Sequence, residues 1–257
     1  MGTPTKAKRI LIGVQVRQDE ETFELYIRSL ANLVIPEGTT VDYYFIFHNS
    51  KNLAKYVNNL PNCSYYYYQD NSTFETSKKT HEWKGENFSA VVLMKNLIID
   101  KVLREKYDYW FLVDSDIILH PMTLKHLYEQ KQDMIGCAFV TEWQEGSGNY
   151  GYNFWDYQDG SLINPQQYLR KGVYLCGGTG ACCLYSAKLL SKIKNVDPIP
   201  YVKESIWEDR AVSIKALVHG FNICISTVYP AIHLYRKSIL DDFKSGHLNK
   251  SMYLFSN

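Results

Sequence analysis

Two hydrophobic rhythms alternate along the chain. The run RILIGVQV (Arg9–Val16) is short and apolar, and Asp19–Val34 then sets Phe23, Ile27, Leu30 and Val34 at helical spacing. That order predicts a strand followed by a helix. The pattern returns with TVDYYFIF (Thr40–Phe47), the more polar NSKNLAKYVNNL, and CSYYYY (Cys63–Tyr68). Strands alternating with helices predict a parallel sheet with crossover helices on its faces. Gln69–Asn87 turns polar and predicts a mobile loop. Ser89–Tyr107 carries the clearest helical pattern, with serine at its start and Lys and Arg near its end, where capping and the macrodipole favour them. Tyr109–Val113 follows at once and predicts a strand inside the sheet, so Asp114 and Asp116 fall at its carboxyl end, where parallel sheets bind ligands.

Further along, Pro121 stands in the first turn of a predicted helix, Pro121–Gln130, and DMIGCAFV (Asp133–Val140) predicts another buried strand. Thr141–Gly172 breaks the rhythm. It is rich in Gly, Asn, Tyr and Trp and too long for an ordinary connection, which predicts a binding loop or lid contacting ligand through Trp143, Tyr150, Tyr152 and Trp155. Gly177, Gly178 and Gly180 separate two apolar runs, as close approach to a ligand or a tight connection would both require. Ser205–Phe221 predicts a helix with an apolar stripe of Ala211, Ile214, Leu217 and Val218, opened by a Ser205/Glu208 capping box. A last short strand precedes His233. The 257 residues suit one α/β domain, divided into a first half (9–135), a second half (136–236) containing the loop 141–172, and a tail (237–257).

Charge narrows the function. Lys+Arg of 28 against Asp+Glu of 27 gives a net charge of +1, with no overall footprint for nucleic acid or anionic membrane. The basic start before Arg9–Val16 lacks a signal-cleavage pattern, and that run is too short to span a bilayer. Six scattered cysteines (Cys63, Cys137, Cys176, Cys182, Cys183, Cys224) read as reduced thiols in a cytoplasmic protein. Two acids one residue apart share a side of an extended chain and repel, raising one pKa. A hard cation such as Mn2+ or Mg2+ relieves that repulsion, using one or two carboxylates, water and substrate phosphates. The alternative, that Ser115 or Asp116 caps the next helix, places the cap too early for a helix starting near Pro121.

FLVDSDIIL (Phe111–Leu119) resembles the D-x-D segment of nucleotide-sugar glycosyltransferases with the GT-A fold, a single Rossmann-like α/β domain with a mostly parallel sheet flanked by helices. The resemblance implies that Asp114 holds ribose or metal, that Asp116 ligates the metal bridging the donor diphosphate, and that Ser115 lies against the same donor. VQVRQDEE makes Gln15 and Arg17 candidates for nucleotide contact, or else solvated loop residues. Asn49 in FIFHNS stands where the family often has a base-reading Asp. LMKNLIID matches the family's basic-Asn helix through Lys95 and Asn96, although an exposed helix face explains Lys95 equally. Gly178 stands in the glycine segment beside the donor sugar.

The same resemblance matches Asp209 to the final Asp of the x-E-D motif of inverting enzymes, where it deprotonates the acceptor as general base. Glu208 is the second candidate for that role. His233 matches the family's C-terminal metal-ligating histidine, and Tyr235, Arg236 and Lys237 are placed to meet the diphosphate. The implied activity is metal-dependent hexosyl transfer from a UDP-sugar such as UDP-glucose. The acceptor stays open among a glycan, a protein or peptide, a small molecule and a modified nucleic-acid base. Two alternatives stand beside it. A nucleotidyltransferase would carry a Gly-rich basic loop, where VQVRQDEE offers only Arg17. A non-catalytic carbohydrate-binding protein on a transferase fold would suit the 21 Tyr and 5 Trp.

Overall fold

The computed structural model describes residues 6–71, 85–142, 147–148, 150–156, 170–203 and 207–248. Strand β1 (Lys8–Val16) is buried without interruption from Ile10 to Val14, as a strand covered on both faces must be. Asp19 then caps α1 (Glu20–Ala31) by accepting the Thr22 N–H at 2.9 Å, and the helix buries Phe23, Ile27 and Leu30. Val34, expected on the same stripe, lies beyond the helix end and is exposed. β2 (Thr39–His48) runs parallel to β1, a 3-10 stretch covers Lys51–Val57, and β3 (Cys63–Tyr68) forms the sheet edge. α2 (Gly85–Arg104) begins four residues before Ser89, which is therefore not its cap.

β4 (Tyr109–Val113) sits in mid-sheet, parallel to β1. Trp110 is buried beneath it and donates its indole N–H to the Gly13 carbonyl at 2.9 Å. Gly13 lets α2 come this close, since a Cβ there would lie 2.8 Å from the Ile98 side chain. β5 (Ile117–Ile118) leads to α3 (Thr123–Glu129), whose cap position is Met122, so Pro121 belongs to the preceding turn and not to the helix. β6 (Met134–Cys137), β7 (Val140–Glu142), β8 (Tyr150–Tyr152), β9 (Phe154–Trp155), β10 (Val173–Leu175) and β11 (Gly178–Thr179) are all short. β12 (Cys182–Ser186) precedes α4 (Ala187–Ile193); α5 (Glu208–Val218), β13 (Cys224–Ser226), β14 (Ile232–His233) and α6 (Lys237–Ser245) complete the described order.

The main sheet has eight strands in the order β10-β13-β6-β12-β4-β1-β2-β3. Its β4-β1-β2-β3 side is wholly parallel, whereas β12 enters antiparallel between β4 and β6. The fold is thus an α/β sheet, mostly parallel, with flanking helices.

The stripe expected on α5 is rotated. Ala211, Val212, Ser213 and Ala216 face inward and Val218 is exposed. Small residues on that face let α5 approach β11 closely: a Cβ on Gly178 would lie 2.6 Å from Ser213 Oγ and 2.2 Å from the Trp155 ring. Ser205 lies outside the described residues, and Glu208 opens the helix itself, so it cannot be the fourth residue of a capping box. Among the described residues every cysteine is a free thiol, and no helix is long and apolar enough to cross a membrane.

Candidate functional site

The backbone does not run on extended after β4. Asp114 donates its N–H to Ala181 O at 2.8 Å, and Ile117 N–H reaches back to Asp114 O at 3.0 Å, closing a turn through Ser115 and Asp116. The premise of period-two alternation across the acids is therefore wrong, yet the turn still directs both acids to one cavity. β5 then pairs antiparallel with β14, setting Ile117 opposite His233, and Leu234 N–H donates to Asp116 O at 2.8 Å. This register delivers His233 Nε2 to 3.4 Å from Asp116 Oδ2. Thr141 Oγ1 holds the other ring nitrogen, Nδ1, at 2.8 Å.

The Asp116–His233 pair fits a hard divalent cation. Adjacent donors of an octahedral ion with bonds of about 2.1 Å stand about 3 Å apart, close to the spacing found here, and metal-bound histidines commonly have their second nitrogen held as Thr141 holds this one. Among the described residues no third His, Cys, Asp or Glu converges to complete a protein cage. Two protein donors, with water and substrate phosphate supplying the rest, is a common Mg2+ arrangement. Asp114 has a different neighbour, since Gln15 Nε2 lies 3.4 Å from its Oδ1. Burial pushes the Asp114 carboxyl up to about 6; Lys95 opposes that shift and Asp116 adds to it.

A second acid pair, Glu208 and Asp209, opens α5. Lys95 of α2 is only 2% exposed and donates to Glu208 Oε1 at 2.7 Å. Burial disfavours this ammonium, but the charges of Glu208 and Asp114 outweigh that cost and hold its pKa above the usual lysine value. Asp209 Oδ1 accepts the Arg210 N–H at 2.8 Å. Its other oxygen lies against the bare backbone of Gly180, where a Cβ would come within 2.2 Å. Burial, then repulsion from Glu208, pushes the Asp209 carboxyl up to about 6, with Lys95 opposing. One turn therefore fixes both raised carboxyls, Asp209 by contact with Gly180 and Asp114 through Ala181, whose φ is +62°. Asn153 braces that turn, donating to Gly180 O and Cys137 O at 3.1 Å each.

These groups surround a cavity of about 490 Å3. Gln15, Arg17 and His48 line it together with Asp114, Ser115, Asp116, His233, Trp155, Trp207 and Asp209. Of the other expected residues Tyr235 also lines the cavity, whereas Asn49, Gly178, Lys95, Arg236 and Lys237 do not. Asn49 adopts φ +51° off the cavity wall and donates through Nδ2 to Asp70 Oδ1 at 3.0 Å, the same oxygen that lies 3.0 Å from His48 Nε2. Gly178 packs behind Trp155, and Lys95 lies beneath Glu208 instead of on an exposed helix face. The Tyr235 hydroxyl accepts the Glu142 N–H at 2.7 Å, while Arg236 grips the Glu142 carboxylate at 3.1 Å and its carbonyl at 2.7 Å. Lys237 pairs with Glu21 on the surface. Within the loop, Trp155 reaches the cavity with Arg210 stacked 4.6 Å from its ring centre, Tyr152 joins the core, Tyr150 is partly buried, and Trp143 lies outside the described residues.

Sequence reasoning names Gly180 among the close-approach glycines but not its contact with Asp209, and it assigns no role to Thr141, Asn153 or the Lys95–Glu208 pairing. Only the glycine run around Gly180 gave any local signal, and the other roles exist through contacts between distant segments.

No family model and no curated protein matches the chain. Among solved structures, it resembles S. aureus TarS (residues 1–349) with a TM-score of 0.51 at 14% identity, over 87% of this chain and 59% of that one. The mannosyltransferase PcManGT from Pyrobaculum calidifontis, solved with GDP-Man and Mn2+, gives 0.49 at 10% identity over 87% and 58%. A197 from STIV gives 0.45 at 10% identity over 88% and 85%. The chain thus spans less than two thirds of the TarS and PcManGT chains. The likeness to TarS shows the fold alone, the GT-A fold with its mostly parallel sheet and flanking helices.

Proposed function

We propose that the chain is a metal-dependent glycosyltransferase that moves a hexose from a nucleotide-diphosphate sugar, a UDP-hexose foremost, to an acceptor hydroxyl with inversion. The observation that carries this reading is the meeting of two acid pairs in one cavity, on either side of the Gly180–Ala181 turn. Arg17, Gln15 and His48 suit the nucleotide end. Asp116 and His233 would hold the divalent ion, which when bound supplies positive charge for the departing diphosphate. Asp114, braced by Gln15, faces the donor ribose.

Asp209 accepts the proton of the acceptor hydroxyl as its oxygen attacks the anomeric carbon. The bond from that carbon to the diphosphate breaks, and its electron pair leaves with the nucleoside diphosphate. A carboxyl raised to about 6 is still mostly ionised at neutral pH and is a stronger base than an exposed aspartate.

The test is nucleoside-diphosphate release and transfer from a panel including UDP-glucose and GDP-mannose, with Mn2+ or Mg2+, for the parent, Asp116→Asn and Asp209→Asn. The reading expects metal-dependent turnover by the parent, weakened donor binding in Asp116→Asn, and intact donor binding without transfer in Asp209→Asn. Donor binding with no turnover for any sugar nucleotide would favour the carbohydrate-binding alternative. Pyrophosphate release from a nucleoside triphosphate and a sugar phosphate would favour the nucleotidyltransferase.

A further inference from the structure

We infer that Lys95 is a positioning residue of the transfer step, gripping Glu208 from below so that the adjoining Asp209 is presented to the cavity. This rests on the reading of Asp209 as base. Val91 and Met94 of α2 line the cavity, and Lys95, the next residue, is buried at 2% exposure. A buried ammonium needs a close partner, and this one reaches across to the first residue of α5 at 2.7 Å.

The first turn of α5 is also held by Ser213, which donates to the Asp209 carbonyl at 2.8 Å, and by Arg210 stacked on Trp155, but Lys95 is the contact that reaches the Glu208 carboxylate from α2. The cap residue of α5, Trp207, makes no side-chain capping bond, and the contact from α2 is the Lys95 ammonium on the Glu208 carboxylate. Asp209 follows directly and is wedged against Gly180, where the steric margin is small enough that a single Cβ would collide with it. Charged and titratable groups face it from several elements: Glu208 and Arg210 from its own helix, Lys95 from α2, Asp114 after β4, and Cys183 and Tyr185 from β12. Lys95 is the buried cation of this set, and its grip sets the direction in which the Glu208–Asp209 step points.

A merely structural ion pair and a positioning one differ in a measurable way. Removing Lys95 alone strands a buried carboxylate, whereas replacing both partners by apolar residues of similar volume commonly restores folding. In Lys95→Met/Glu208→Met the melting temperature should return close to the parent value, with donor affinity in the presence of Mn2+ and acceptor KM little changed. The kcat should fall by up to about 10²-fold, as a small misplacement of a reacting group allows. If that variant does not fold, Lys95→Met/Glu208→Gln, which also leaves no buried charge, carries the same expectations. A folded double variant with parental kcat overturns the inference. Asp209→Asn is measured beside it: if that variant still transfers sugar, the base reading itself has failed, so the two failures are told apart.

Discussion

The cavity contains two adjacent acid pairs that solve the same electrostatic problem differently. In the Asp114/Asp116 pair, one acid faces a titratable imidazole, His233, across a two-residue strand pairing, and lies where a cation fits. In the Glu208/Asp209 pair, one acid is bound by a lysine ammonium buried within the protein. In each pair the other member, Asp114 or Asp209, has its carboxyl pushed up to about 6, chiefly by burial. On the proposed reading, the first pair takes its positive partner from a bound ion. The second carries its positive partner permanently, which suits a group that must act without waiting for an ion.

The sharpest way to break this contrast is Asp209→Asn. Steady-state kinetics should show kcat lower by about 10²- to 10⁴-fold, the span assigned to a lost general base, while titration calorimetry shows donor binding unchanged. On the other side of the cavity, Thr141→Val removes the hydroxyl from His233 Nδ1. Mn2+ affinity should drop by about 10- to 100-fold, as for other groups that orient a ligand, and excess Mn2+ should restore kcat.

Gly180→Ala tests the shared turn. Its Cβ would meet Asp209 Oδ2 at 2.2 Å, so the carboxylate must shift; thermal denaturation should report a loss of about 1–3 kcal/mol from overpacking, and kcat should fall with donor affinity retained.

Acidity separates the pairs more gently. With Asp209 held at about 6, kcat should rise with pH through that value as the base ionises. The same raised pKa means that folding binds extra proton between the ordinary value of 3.8 and about 6, so its contribution to stability is full below 3.8 and lost as pH rises through 6. The melting temperature of Asp209→Asn should therefore gain on the parent as pH rises across that window. The smallest effect belongs to Lys237→Ala, which releases an exposed contact with Glu21 and should leave transfer kinetics unchanged.

The β4-β1-β2-β3 side was legible because its strands are long, apolar and separated by amphipathic helices, so burial on two faces wrote itself into the composition. The second half was not. Apart from β6 and β12 its strands have two or three residues and carry no periodicity, and Asn153 joins β6 to the Gly180 turn by side-chain bonds that no local pattern records. The α5 stripe was misread because that helix packs through alanine and serine against Gly178, so close approach, and not hydrophobicity, selects its inner face. Asp114, Asp116, Asp209 and His233 are named from motifs, and all four line the same cavity. Lys95 is named from a motif too, but its burial and its partner were not legible, because only the tertiary structure brings a helix far from Glu208 in sequence beneath it.

The β5–β14 pairing has a consequence for the order in which competence is acquired. Asp116 meets His233 only when the chain has closed the long loop between them, and the entropy of that closure must be met before the pairing stabilises anything. On the proposed metal-dependent reading, Mn2+ affinity would therefore report the completed molecule: a chain that kept β1 to β4 but lost the β5–β14 pairing would keep Gln15 and lose the Asp116–His233 pair.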